Sequence, residues 1–287
     1  MSILIGYLVV LGMVFGGYAL AGGSFGVILK ALPLEGMMIG GGAVGAFVVA
    51  NSGHVMKATL KDLGKAFKGP TWHKDDYLEL LKLMFTLTKT MRTKGLLEIE
   101  QHIENPHESE LFEPYKKIMN DHFSCDFICD TLRLMTMNME DPYQVEDNME
   151  KQIDKHHHEA LHPAHAVSTM SDGLPAIGIV AAVLGVIKTM SSVTEPPEIL
   201  GGMIAGALVG TFLGVFLAYC FVGPLASKMT GIHEEDGQFY NIIKTILVCH
   251  LHGQSPQVSV EVGRGIVPSD YQPSFAELDE QLAEIKV

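Results

Sequence analysis

The stretch "ILGGMIAGALVGTFLGVFLAYCFV", Ile199 to Val222, carries no charged residue over a length that crosses a hydrocarbon core of about 30 Å. Three further apolar runs accompany it: Ile3 to Leu20, Leu34 to Ala50, and Leu174 to Ile187, the last reaching about Val193 if Lys188 snorkels. With 47% hydrophobic residues, 18% charged residues and a mean hydropathy of +0.23, the 287-residue chain is too apolar for an ordinary soluble domain. The first run has no basic segment before it and leads through "AGGSFG" into the next span, so it reads as a membrane helix rather than a signal peptide.

The expected fold is an all-α membrane protein. Four transmembrane helices form two hairpins, with a large helical cytoplasmic segment between spans two and three. The boundaries are 1–53 for the first hairpin, 54–172 for the cytoplasmic helical domain, 173–224 for the second hairpin and 225–287 for a cytoplasmic helical tail. Orientation follows from the 20 Lys and Arg: 14 lie between Lys57 and Lys155, Lys228, Lys244, Arg264 and Lys286 follow the last span, and only Lys30 and Lys188 lie in or beside the short connections. The positive-inside rule then puts both termini in the cytoplasm. A formal charge of -13 without a basic cluster excludes a nucleic-acid surface, leaving membrane lipid as the bulk contact.

Within the polar part, residues 76 to 104 place Leu78, Leu81, Met84, Phe85 and Thr88 at helical spacing, which predicts one amphipathic helix. "NPHE" predicts a new helix with Asn105 as cap, Pro106 first and Glu108 third. "DPYQ" predicts another from Asp141, with a stripe of Val145, Met149, Ile153, His157 and Leu161. Cys125 and Cys129, one turn apart among apolar neighbours, read as buried reduced thiols.

That stripe runs into "KHHHEALHPAHA", Lys155 to Ala166, where His158, Glu159 and His162 spell H-E-x-x-H, a zinc-protease pattern. Pro163 follows at once and is expected to disturb the helix, and no well-placed third ligand stands nearby. The reading therefore favours a solvated polar face over adventitious metal binding, and both over proteolysis. The expectation is no enzyme, no metal and no cofactor.

The spans are rich in glycine at close-packing spacing: Gly12 with Gly16, Gly41 with Gly45, and Gly202, Gly206, Gly210 and Gly214. Packing within one monomer and packing on partner helices both remain open for these faces. Between the ends of the four spans no Asp, Glu, His or Arg is expected at mid-depth, so an ion path would take its carboxylate from a partner helix. Thr211 and the backbone loosened by Pro175 are the polar features on offer, and the bland alternative for Thr211 is a hydroxyl bonded back to its own helix.

The chain resembles the A subunit of bacterial flagellar motor stators, the MotA family within the MotA/TolQ/ExbB superfamily. The carrying stretches are "GYLVVLGMVFGGY" at 6–18, "EIEQHIENPHESELF" at 98–112, "DGLPAIGIVAAVLGV" at 172–186, "LVGTFLGVFLAY" at 208–219, "GPLA" at 223–226 and "QPSFAELDE" at 272–280. The resemblance implies a homo-oligomeric ring, a pentamer, around a pair of MotB-type single-span, peptidoglycan-anchored subunits whose transmembrane Asp binds the ion. It also implies torque on a rotor switch protein of the FliG type, in the bacterial inner membrane. Pro175 and Pro224 match the family's two important prolines, and Arg92 and Glu100 its rotor-facing charges. In sodium-type relatives the residue seven after the span-three proline is threonine; here it is Ala182, while Thr211 matches the family threonine in span four. A dehydrated sodium ion needs several oxygens and a proton only a carboxylate, so H+ is favoured over Na+. The rivals are an ExbB/TolQ-type energiser of another envelope system, whose members usually have three spans, a membrane zinc protease, and a structural scaffold.

Overall fold

The computed structural model describes residues 2–285; Lys286, counted above among the basic residues after the fourth span, lies outside them. Its helices are α1 Ser2–Leu20, α2 Phe25–Ala50, α3 Gly53–Lys68, α4 Lys74–Lys94, α5 Leu96–Glu104, α6 Lys116–Asn120, α7 His122–Thr136, α8 Pro142–Met190, α9 Pro197–Leu217, α10 Gly223–Leu251, α11 Pro256–Gly265 and α12 Phe275–Ala283. No strand occurs among the described residues. Four helical stretches are long and apolar enough to cross a membrane: α1, α2, α8, and α9 continuing into α10. The chain divides into two compact units, one of residues up to Gly69 with Leu161–Ile232, the other of Pro70–Ala160 with residues from His233.

The first unit is built from the apolar runs. None of α1's residues is buried, and Leu4, Leu8 and Met13 are among its exposed side chains, as expected of a helix that faces lipid or other helices. α2 packs on α9, and α8 lies against both through Ile39, Ala43, Leu174, Ala181 and Leu213. A second small cluster joins Ala66 of α3, Ala164 and Val167 of α8, and Ala226, Met229 and Ile232 of α10.

The second unit has an ordinary core. Trp72 stacks on Phe239, with ring centroids 3.9 Å apart, and Asp236 accepts hydrogen bonds from the Thr71 backbone N–H at 2.7 Å and hydroxyl at 2.8 Å. The stripe read from Asp141 onward is in place. The Asp141 carboxylate accepts from the backbone N–H of Tyr143 and Gln144, and Val145, Met149 and Ile153 are buried. Ser274 and Glu277 form a capping box that opens α12. Cys125 and Cys129 are free and buried.

Four local expectations are corrected. The helix read over 76–104 breaks at Gly95, whose φ of +91° belongs to glycine's conformational range, and continues as α5. "NPHE" makes only a three-residue 3-10 turn, Pro106–Glu108, in which Asn105 forms no side-chain cap. Pro163 does not end a helix: α8 runs unbroken through it and through Pro175, because buried Pro163, Ala164 and Val167 are held by packing that outweighs one missing backbone bond. The helix that carries the second apolar run begins at Phe25, ahead of Leu34, so Lys30, Pro33 and Glu35 all lie inside α2.

Candidate functional site

α8 and α9 meet along a seam where side chains are absent. A methyl placed on Gly214 would lie 2.7 Å from the Leu174 carbonyl oxygen and 2.9 Å from Gly178 Cα. One on Gly178 would lie 2.9 Å from the Gly210 carbonyl oxygen, and one on Gly185 would lie 2.7 Å from Ala207 Cβ. Backbones approach this closely only where both helices present small residues, which in lipid supplies the dispersion contact that aggregation of apolar side chains cannot. The glycines of α9 therefore divide. Gly210 and Gly214 pack within the chain, Gly206 only grazes Ala31 Cβ at 4.0 Å, and Gly202 meets nothing within 4 Å. Gly12, Gly16, Gly41 and Gly45 are equally open.

The seam gathers several of the residues singled out from sequence. Pro175 follows Leu174, half-buried, and Ala182 sits opposite Gly210, its backbone nitrogen 3.3 Å from where a Gly210 methyl would be. Thr211 is half-buried beside it, and among the described residues its hydroxyl makes no bond to its own helix, the alternative weighed from sequence.

The seam also holds a residue that sequence reading missed. Glu35 of α2 is 7% exposed, and its Oε2 lies 2.5 Å from the Gly210 methyl position, buried and without a hydrogen-bond partner. Glu35 lies inside α2, about 15 Å along the helix from its start at 1.5 Å per residue, so this apolar helix does carry an acid. The signal available was the apolar stretch "FGVIL", Phe25 to Leu29, ahead of Lys30, which the reading of a run from Leu34 left out.

Pro224 lies elsewhere, just after a π turn at Ala218–Val222. Proline has no N–H to give the carbonyl four residues back, and the ladder adapts locally. Gly223 N–H bonds to the Ala218 carbonyl, Ser171 Oγ donates to the same oxygen at 2.9 Å, and Tyr7 Oη donates to the Phe221 carbonyl at 3.0 Å. The turn is thus stitched to α8 and α1 by two hydroxyls.

Arg92 and Glu100 are both exposed and lie on different helices, α4 and α5, either side of the Gly95 break. Arg92 Nη1 donates to the Gln254 carbonyl at 3.2 Å, which ties its guanidinium to the connection after α10. In the H-E-x-x-H segment His158, Glu159 and His162 are exposed on α8, and among the described residues no cluster of three His, Cys, Asp or Glu has the geometry to hold a metal. Burial pushes the Cys125 and Cys129 thiols up from their ordinary value, Cys129 further, with the neighbouring Cys125 thiol adding to the effect.

Two family models match: the motility protein A N-terminal domain over residues 4–95, and the MotA/TolQ/ExbB proton channel family over residues 118–239. The chain is 42% identical to motility protein A of Escherichia coli (strain K12) over 286 residues, covering 100% of this chain and 96% of that protein. It is 34% identical to chemotaxis protein LafT of Vibrio parahaemolyticus, with 98% of each covered. In fold it is similar to C. jejuni MotAB, with a TM-score of 0.73, 20% identity and 96% and 98% of the two chains covered. The flagellar MotAB stator complex from Bacillus subtilis gives a TM-score of 0.66, 21% identity and 98% coverage of both chains. Length, helix content and a match end to end agree, and the chain belongs to the motility protein A family of the MotA/TolQ/ExbB proton channel group.

Proposed function

We propose that this chain is the A subunit of a flagellar stator unit in the inner membrane, which pairs with a MotB-type single-span subunit and uses proton flow to drive the rotor. The observation that carries the reading is the 42% identity to motility protein A across the whole chain, within which Pro175, Ala182 and Thr211 fall on the α8–α9 pair. The partner supplies a transmembrane Asp; the α8–α9 walls gate its access to the two sides, and each elementary charge moving inward yields about 2.3 kcal/mol per 100 mV. Open glycine faces on α1, α2 and the start of α9 favour a homo-oligomeric ring, a pentamer around a B-subunit pair, in which neighbouring helices cover them. The basic residues between Lys57 and Lys155 support a cytoplasmic position for α4–α7 and for both termini. There the exposed Arg92 and Glu100 face a FliG-type rotor protein.

Protons are the proposed coupling ion because Ala182 offers a methyl where a sodium ion would want an oxygen. The test is to express the chain with its B subunit in a strain lacking its own A subunit, then measure swimming speed in sodium-free buffer with and without a proton uncoupler. Swimming that persists without sodium and stops with the uncoupler is expected. Motility that scales with external sodium and survives the uncoupler refutes the proton assignment, and no motility with an assembled complex refutes the stator reading.

A further inference from the structure

The helix that follows the second apolar run turns its large apolar side chains outward. We propose that α3 is a membrane-surface helix that selects the lipid it lies on: Leu60 and Phe67 enter the edge of the bilayer, and Lys57, Lys61 and Lys68 beside them take anionic phospholipid headgroups. The inference goes beyond the stator reading and stands on the membrane spans alone.

Three observations carry it. The first is place. α2 ends at Ala50 and α3 begins at Gly53, and the corner between them is held from both sides: Asn51 Nδ2 donates to the Phe47 carbonyl at 2.8 Å, and Ser52 Oγ accepts from the Val55 N–H. The cluster that buries Ala66 of α3 also takes in Leu63, Ile3 in the first turn of α1, and Val222 and Leu225, where the charge-free stretch from Ile199 ends. α3 therefore lies beside the ends of α1, of α2 and of the fourth apolar stretch. The second observation is how its faces divide. Its buried residues are the small Thr59 and Ala66, while Leu60 is 73% exposed and Phe67 46%. A helix of a soluble domain turns such side chains inward. At about 100° per residue, Met56, Leu60 and Phe67 fall within about 40° of one another, and Lys57, Lys61, Lys65 and Lys68 fill about 80° alongside them. The helix's one acid, Asp62, falls outside both arcs. The lysines stand three or four apart in sequence, so only the helix gathers them into a stripe. The third observation is a neighbouring groove of about 330 Å³ between the start of α1 and the π turn, lined by Ile3, Tyr7, Val10, Tyr219 and Leu225 with the exposed Lys228. It shares Ile3 and Leu225 with the cluster that seats α3, and it offers an acyl chain an apolar wall with a cation at its edge.

An apolar strip bordered by lysines, level with the ends of the spans, is the pattern of a helix lying in the plane of a bilayer surface. A protein neighbour would have to bring both an apolar strip and acids to that level, whereas a bilayer containing anionic lipid presents both there. Each lysine close to an anionic surface raises binding about fivefold, an effect that salt screens. α3 thereby ties the parts of α8 and α10 on which it packs to the leaflet at that end of the spans.

The test uses the full complex with its B subunit in phosphatidylcholine nanodiscs, carrying Phe67→Trp and read against the unsubstituted complex; the chain's own Trp72 is buried and serves as a constant background. Phosphatidylcholine or phosphatidylglycerol brominated on its acyl chains is introduced at rising mole fraction, and quenching of the added indole is followed. Both lipids are expected to quench, with the half-maximal mole fraction at least about fivefold lower for phosphatidylglycerol. Lys57→Gln, Lys61→Gln and Lys68→Gln together should abolish that difference while quenching by phosphatidylcholine persists. An assembled complex that neither lipid quenches overturns the proposal, since another copy of the chain or another protein then covers the face. Equal quenching by the two lipids overturns it as well, and so does a preference that survives loss of the three lysines. Where Phe67→Trp does not assemble, Leu60→Trp takes the same measurement with the same outcomes. Swimming is not the readout, so failure here leaves the stator reading standing.

Discussion

Substituting alanine along the glycines of α9 should give a graded loss of stability that follows distance to the neighbouring helix. At Gly214 the new methyl would stand 2.7 Å from the Leu174 carbonyl oxygen, 2.9 Å from Gly178 Cα and 3.2 Å from Gly178 N. Non-bonded carbons sit at about 3.5–4.0 Å, so the shortfall is on the order of 0.6 Å or more against backbone atoms that no rotamer change can move. α8 and α9 must part, and overpacking of this kind costs about 1–3 kcal/mol. For a chain of this size that corresponds to a fall in thermal midpoint on the order of 5 °C. At Gly210 the nearest atom is a side-chain oxygen, Glu35 Oε2, which can swing aside, so the loss should be smaller. At Gly202 nothing of the same chain lies within 4 Å, so in the single chain alanine's better helix propensity, worth up to about 1 kcal/mol, makes the change neutral or slightly stabilising. The assay is the fraction of the single chain, purified as a monomer in detergent without its partner, that stays monodisperse by size exclusion after heating through a temperature series. The reasoning fails if Gly214→Ala survives heating as well as Gly202→Ala.

Charge reversal at Arg92 or Glu100 should reduce torque while leaving the complex assembled, since both are exposed and each such contact is worth about 1 kcal/mol or less. Arg92→Glu also gives up the bond to the Gln254 carbonyl, so tethered-cell torque should fall further for it than for Glu100→Lys; unchanged torque with both reversed removes them from the rotor interface. Cys125 and Cys129 should resist iodoacetamide in the native protein at neutral pH, because thiolate is the reacting form and burial holds both thiols above their ordinary value. Peptide mapping should show them alkylated at least about tenfold more slowly than in denaturant, with the rate rising only at strongly alkaline pH; full labelling of the native chain near neutrality contradicts this.

What the sequence determined by itself is what a single segment's composition and local chemistry can settle. Four membrane-length helices follow from apolar runs, because transfer of some twenty apolar residues is decided by the segment alone. The start of α8 at Asp141 is likewise local, since a side-chain oxygen two or three residues from the N–H groups it caps needs no tertiary help. Family membership was legible in short motifs for the same reason. Tertiary structure decided the rest. Whether Pro163 breaks α8 depends on neighbours that hold Ala164 and Val167 in place, and whether Gly95 interrupts the α4 pattern depends on where α5 must pack. The glycines look alike along α9, yet Gly214 is sealed against α8 while Gly202 is bare, because the helices touch at one end of the stripe and not at the other. Glu35 is the sharpest case. It stands at the start of the run read from Leu34, but a space left by Gly210, far away in the chain, lets the helix bury the carboxylate, and only packing between distant segments creates that space.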